Sequence, residues 1–317
     1  MSRAISLDTI RAAAPHVYAT AIRTPLVRLD PAGGGFPEIW LKLETLQPIG
    51  SFKIRGAANA VAHLPAGTDA VWTVSAGNAA QGVALAARRA GLRCSVLVMD
   101  TAPAAKLDAI RRLGAEIVQA PYDECWRAVE THASARMTGS FVHPFDDDAF
   151  ISGNGTAGLE ILEDLPDVDA VIASVGGGGL LAGIGCAVKA LKPGVKIYGA
   201  EPETAAPFDA SFKAGKPLTF DAWQPSFVDG AGGRSVLPSM WPLLRAYVDE
   251  PLVVSLADAA AAMKLAAERC HVIAEGAGAC AIAAALSDRL RSAGHTRVVA
   301  VVSGGNIDLA RFAQLTA

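Results

Sequence analysis

The sequence contains no CxxC pair, no internal repeat and no apolar stretch long enough to span a bilayer. Its cysteines, at positions 94, 125, 186, 270 and 280, are odd in number. Neither a disulfide framework nor a zinc knuckle is suggested, and reduced, mostly buried thiols are expected. A formal net charge of −3 leaves no basic footprint for nucleic acid or an anionic membrane surface, so a small molecule is the expected ligand. The histidines at 16, 63, 132, 143, 271 and 295 make no metal-ligand spacing, and each reads as an isolated core or surface residue. Arg3, Asp8 and Arg11 interrupt any signal-peptide core, and the expected location is the cytoplasm.

What the sequence does contain is apolar: 51% of its 317 residues are hydrophobic and 19% charged, a balance suited to a buried parallel sheet covered by helices. Short apolar runs alternate with helix-length segments, the pattern of βαβ units. Strands are expected at 39–43, 70–74, 94–98, 116–118, 170–175, 196–199 and 298–302. Helices are expected at 79–90, 104–113, 180–191, 257–270 and 278–291. The stretch from Phe141 to Thr156, with Gly153-Asn154-Gly155, breaks both periods and reads as a crossing between domains. A second irregular stretch, Pro202 to Pro251, reads as a cap or subunit contact.

Four turns that follow strands carry the residues with chemical potential. After the strand at 39–43 and a Gln47-Pro48-Ile49-Gly50 turn, Ser51 is the expected N-cap of a helix that places Lys53 in its first turn. The helix dipole, with Arg55 two residues on, disfavours an ammonium charge there, so Lys53 is suited to neutral-amine chemistry such as a Schiff base. A solvated surface lysine is the alternative. Gly176-Gly177-Gly178-Gly179, between a strand and a helix N-terminus, offers backbone N–H groups and a positive dipole end to a phosphate. With Glu201 near the end of the next strand, the same loop loosely fits a dinucleotide fingerprint. Ser75-Ala76-Gly77-Asn78 is suited either to holding a carboxylate or simply to capping a helix. Ser303, in Ser303-Gly304-Gly305-Asn306, would lie at the carboxyl edge of the sheet.

Taken in order, Ser51-Phe52-Lys53-Ile54-Arg55-Gly56, Ser75-Ala76-Gly77-Asn78-Ala79-Ala80-Gln81-Gly82, the glycine loop, Glu275-Gly276-Ala277-Gly278-Ala279 and Ser303-Gly304-Gly305-Asn306 cover nearly the whole chain. They resemble the fold type II pyridoxal-phosphate enzymes, in particular the threonine/serine dehydratase and serine racemase group. The resemblance implies an α/β fold of two open parallel-sheet domains, tryptophan synthase β-like. Residues 1–67 and 147–317 would form a large cofactor-binding domain and residues 68–146 a small substrate-clamping one. It implies pyridoxal 5'-phosphate as cofactor, a Schiff base to Lys53, Phe52 packed on the pyridine ring and Asn78 at the ring hydroxyl. Gly176, Gly177, Gly178 and Gly179 would hold the phosphate and Ser303 would face the ring nitrogen. Ser75, Ala76, Gly77, Asn78 and Ala79 would hold the substrate carboxylate. A homodimer is also implied.

The activity so implied is an ammonia-lyase that converts a β-hydroxy-α-amino acid of the threonine or serine type to a 2-oxo acid and ammonia. No carboxylic acid or histidine within the matched motifs is an obvious general acid. Four departures bear on it. Ala79 stands where the group usually has histidine, which leaves room for a bulkier substrate. Ala76 stands where racemases carry a second serine, so Lys53 is the one visible Cα acid/base and little racemisation is expected. Pro207 replaces an acid in a cation site that Glu201 and Ala205 would otherwise share, so a weak metal site or none is expected. Asn154 stands for a usual glutamine. The chain also leaves no room after Asn306 for a regulatory domain. A β-replacement synthase, a nicotinamide-dependent oxidoreductase using Glu201, and an inactive binding protein are the other readings.

Overall fold

The computed structural model describes residues 3–31 and 33–317. The strands are β1 (Leu26–Leu29), β2 (Glu38–Leu43), β3 (Ala70–Val74), β4 (Arg93–Met99), β5 (Glu116–Ala120), β6 (Ser140–Phe141), β7 (Ala170–Ser174), β8 (Lys196–Pro202), β9 (Glu250–Val254) and β10 (Arg297–Val302). They form a six-stranded sheet ordered β1-β2-β10-β7-β8-β9 and a four-stranded sheet ordered β5-β4-β3-β6. Every pairing is parallel except β1 with β2. Central strands such as β3 and β7 are buried along their whole length, as the continuous apolar runs require.

The helices are α1 (Leu7–Tyr18), α2 (Lys53–Ala62), α3 (Asn78–Arg89), α4 (Ala104–Arg112), α5 (Tyr122–Thr131), α6 (Asp148–Asp164), α7 (Gly179–Leu191), α8 (Pro207–Ala214), α9 (Trp241–Tyr247), α10 (Leu256–Cys270), α11 (Gly276–Ala285), α12 (Asp288–Arg291) and α13 (Leu309–Thr316). Among the described residues, no helix is long and apolar enough to cross a membrane. The cysteines are free thiols, four of them buried.

Most of the expected elements stand where periodicity placed them, within a few residues. Two regions differ. The 141–156 stretch is no crossing loop: from Asp148 onward it is the 17-residue helix α6, capped by the Asp147 carboxylate on the Phe150 N–H. Its glycines mark close helix packing. A Cβ at Gly153 would strike the Arg55 carbonyl oxygen of α2, and one at Gly155 would lie 2.7 Å from Ile10 Cδ1 of α1 and 3.0 Å from the Gly183 carbonyl oxygen of α7. The Pro202–Pro251 stretch contains α8 and α9 and runs into the edge strand β9, where Pro251 is tolerated because an edge position need not donate to a further neighbour. The helix expected at 278–291 is two, because Ser287 caps α12.

Asn154 is fully buried in α6, and neither of its amide atoms has a hydrogen-bond partner among the described residues. A side chain one methylene shorter than glutamine does not reach one. Asn154→Leu, near-isosteric and apolar, is expected to raise the unfolding free energy by about 1 kcal/mol, read by denaturant titration.

A buried charge cluster joins β2, α2 and α6. Arg55 donates to Glu44 (Nε to Oε2 2.8 Å) and to Glu160 (Nη1 to Oε1 2.6 Å), and Lys42 Nζ lies 2.6 Å from Glu160 Oε2. Tyr18 and Thr24 hydroxyls complete the carboxylates' hydrogen bonding. Two cations and two anions, all fully buried, leave no net charge.

Candidate active site

The turns after β2, β3, β7 and β10 meet at the carboxyl ends of the parallel strands, where open α/β sheets bind ligands. Between the two sheets lies a cavity of about 430 Å3, within the range of small-molecule sites. Phe52, Lys53, Gly176, Gly177 and the whole run Ser75, Ala76, Gly77, Asn78 and Ala79 line it. Gly178, Gly179 and Ser303 are not among the lining residues; Ser303 is buried, and its carbonyl accepts from the Phe52 N–H at 3.0 Å.

Lys53 is the first residue of α2, and Ser51 is not the cap. Ser51 instead bridges to Gly304, so the residues before the helix are recruited by the turn after β10. Lys53 Nζ donates to the Pro144 carbonyl at 2.6 Å and has no carboxylate partner among the described residues. It lies over the Phe52 and Phe150 rings, 5.2 and 5.5 Å from their centroids. The cavity keeps the side chain partly accessible, yet the surrounding protein lowers its pKa to about 8, by desolvation alone. Arg55 does not contribute to this, contrary to the expectation from the sequence, because Glu44 and Glu160 neutralise it. At pH 8 about half of Lys53 is then neutral, against well under a hundredth of a surface lysine. A limiting dose of an amine-acylating reagent on the cofactor-free protein is expected to label Lys53 ahead of other lysines, as peptide mass mapping would read.

The glycine loop meets the demands of a phosphate. Among the described residues, the N–H groups of Gly176, Gly177 and Gly178 donate to no protein acceptor, and the first turn of α7 leaves further N–H groups free. Gly178 has φ +86°, a left-handed conformation natural to glycine. A Cβ at Gly176 would meet the Gly230 carbonyl oxygen at 2.5 Å, and one at Gly177 would collide with the Phe145 ring. Unpaired donors, a desolvated amine without a counter-ion and an aromatic ring beside it fit pyridoxal phosphate.

Asn78 does not cap α3; the N-cap is Gly77, and Asn78 is the first helical residue. Its Nδ2 donates to Glu275 Oε1 at 2.7 Å and its Oδ1 accepts from Asn306 Nδ2 at 2.7 Å, an amide held by two partners with one N–H left over. Ser75 Oγ accepts from the Gly77 N–H and shapes the turn.

Glu275 is the residue whose role the sequence did not disclose. It is buried, lines the cavity and has its pKa pushed up to about 8, by desolvation and then by the nearby Asp229 charge. A carboxylic acid protonated at neutral pH therefore stands in the cavity, although none was expected there. The only sequence signal was its place at the head of the Glu275–Ala279 motif. His143 also departs from the reading of isolated histidines. Its ring packs 5.1 Å from His132 and 4.6 Å from Phe145, and its Nδ1 accepts from the Phe145 and Asp146 N–H groups, fixing the loop that presents Pro144 to Lys53.

Glu201 is elsewhere. It is fully buried and accepts from the Phe208 and Asp209 N–H groups at the start of α8, so it caps a helix and does not reach the cavity as a ribose-binding acid would. No group of three or more His, Cys, Asp or Glu side chains among the described residues could hold a metal ion.

Comparison with known proteins agrees with this geometry. L-threonine ammonia-lyase of Thermotoga maritima is 40% identical over 297 residues, covering 92% of this chain and 72% of that protein. Serine racemase of Oryza sativa subsp. indica is 36% identical over 304 residues, covering 93% and 88%. The structure of maize serine racemase superposes with a TM-score of 0.91 at 32% identity, covering 98% of this chain and 96% of that one. The profile described as "Pyridoxal-phosphate dependent enzyme" matches residues 17–304, which sets aside the nicotinamide reading. The chain therefore belongs to the pyridoxal-phosphate dependent enzymes, with two parallel-sheet α/β domains of the fold type II kind and pyridoxal phosphate as its cofactor.

Proposed function

We propose that the protein is an ammonia-lyase that removes the β-hydroxyl and the α-amino group of a β-hydroxy-α-amino acid, releasing a 2-oxo acid and ammonia. The observation that carries this reading is the Lys53 amine, desolvated and without a counter-ion, in one cavity with free loop N–H groups and an oriented amide. The relatives named threonine ammonia-lyase and serine racemase support the substrate class to the same degree.

In this reading Gly176 to Gly179 would hold the cofactor phosphate, and Phe52, Asn78 and Ser303 would hold its ring. Pyridoxal phosphate, when bound, supplies an aldehyde for amino groups and a ring that accepts electron density from Cα. The Ser75–Ala79 turn binds the substrate carboxylate through N–H groups. Lys53, neutral when released, takes the Cα proton, and Pro144 holds its Nζ in place. The β-hydroxyl leaves as water with the proton that Lys53 took from Cα, and water then releases ammonia, so the overall change consumes none. Ser303 would offer the ring a hydroxyl, not a carboxylate, a neutral partner suited to elimination.

Ala76 lines the cavity without a proton to give, so deuterium exchange with inversion at Cα is expected to be negligible beside elimination, as NMR in deuterated buffer would read. The test of the whole reading is borohydride reduction of the yellow holoenzyme followed by peptide mapping, together with 2-oxo acid release from L-threonine and L-serine. Cofactor fixed elsewhere than on Lys53, or no 2-oxo acid from any β-hydroxy amino acid, overturns it. Division of the chain at 67/68 and 146/147, a homodimer and a cytoplasmic location belong to the same reading. Exposed Tyr18, Ile22 and Leu46 on adjoining segments supply an apolar surface for the dimer, which sedimentation would detect.

A further inference from the structure

The side of the cavity formed by the four-stranded sheet is apolar well beyond the needs of serine or threonine. Tyr122, Cys125, Trp126 and Val129 of α5 all line it, at the i, i+3, i+4 and i+7 spacing of one helix face. Leu97 and Met99, from the carboxyl end of β4, lie on the same wall. The Trp126 indole N–H is satisfied by Glu130 Oε1 at 2.8 Å, so its ring needs nothing polar from a ligand. Where a histidine would have brought a polar edge, Ala79 presents a methyl group to the same space.

The charged side chains of the cavity are also accounted for. The cavity lining holds Lys53, Lys106, Asp229 and Glu275 as its Lys, Asp and Glu residues. Lys106, on α4, is paired with Asp229 across the mouth. Glu275 is turned to Asn78, and Lys53 is taken up by the chemistry. Among these lining residues no free cation remains for a second substrate carboxylate and no free anion for a substrate ammonium, and Arg234, which is not one of them, lies over the Tyr122 ring, 5.5 Å from its centroid; a buried charge without a partner is strongly disfavoured.

Resting on the elimination reading above, we infer that the α5 face and Ala79 form a subsite for an uncharged aromatic β-substituent. The preferred substrate is then a β-aryl-β-hydroxy-α-amino acid. Its ring would lie against Trp126 and the apolar end of β4, while the α-carboxylate and α-amine engage the common groups. Water displaced from this wall contributes to binding only when the β-substituent is large enough to cover it.

The test compares kcat/KM of the holoenzyme for L-threo-β-phenylserine, L-threonine, L-serine and L-threo-β-hydroxyaspartate. Phenylserine is expected to lead threonine by at least about tenfold. Trp126→Ser and Ala79→His are each expected to lower the phenylserine-to-threonine ratio by about tenfold. A readout independent of turnover is tryptophan fluorescence on titration with L-phenylalanine, which lacks the leaving hydroxyl. Quenching present in the wild type and absent in Trp126→Phe supports the subsite. Elimination with threonine or serine ahead of phenylserine overturns this inference and leaves the ammonia-lyase reading intact. A lead for hydroxyaspartate also overturns it and shows that Lys106 abandons Asp229 for substrate. No elimination from any substrate, with the phenylalanine quenching retained, overturns the ammonia-lyase reading and leaves the subsite.

Discussion

Lys53→Ala is expected to lower kcat by about a thousandfold or more, the scale on which a positioned acid/base contributes. Ammonia release measures the loss, and the variant should take up no cofactor on borohydride reduction. Arginine at this position is expected to do no better, since it stays charged at any working pH. The fold should survive, because the Lys53 amine makes a single hydrogen bond, to Pro144, and no ion pair among the described residues. Its removal even relieves a cost. The folded-state pKa, about 8, lies below the ordinary lysine value of 10.5, so between these values the unfolded chain binds more protons than the folded one. Cofactor-free wild type should therefore gain stability as pH rises from 8 to 10.5, and Lys53→Ala should lack that gain. Chemical denaturation across this range compares them. A variant that keeps wild-type turnover would remove Lys53 from the chemistry.

Arg55→Ala is expected to cost about 3–5 kcal/mol, the penalty of leaving buried charge without its partner. That is a large share of the roughly 5–15 kcal/mol that holds a domain folded. Glu44 and Glu160 would face each other with only Lys42 to compensate. In the wild type, burial opposes ionisation of Glu160, but hydrogen bonds and charge from Arg55 and then Lys42 outweigh it and hold its pKa near 2. Its contribution to stability is therefore complete above the usual carboxyl value of 4.5 and is lost as pH falls from 4.5 towards 2. Without Arg55 the loss should begin at higher pH, so acid unfolding followed by circular dichroism would shift upward. Because α2 begins at Lys53, cofactor affinity should fall along with stability. Equal acid midpoints for the two proteins would show that the cluster is not a stabilising unit.

The parts of the site that could be read from the sequence are those built by local chain chemistry. Glycines between a strand and a helix leave backbone N–H groups unpaired, and those of Gly176, Gly177 and Gly178 have no acceptor among the described residues. Asn78 after a buried strand reached the cavity for the same reason. Where local reasoning went astray, a distant segment had intervened. Ser51 looks like a helix cap until the turn at Gly304 claims it. Gly153-Asn154-Gly155 looks like a loop until three helices approach closely enough to require the missing Cβ atoms.

The residues by themselves determined the alternation of strands and helices, the glycine turn before α7 and the place of Lys53 at the start of α2, because turn propensity and hydrophobic period act over a few residues. Tertiary structure alone decided which charges count. Arg55 stands two residues from Lys53 yet is spent on Glu44 and Glu160, while Glu275 reaches Asn78 across 197 positions and is held protonated there. Desolvation and Coulomb coupling depend on distance in space and on excluded water, and neither follows from separation along the chain.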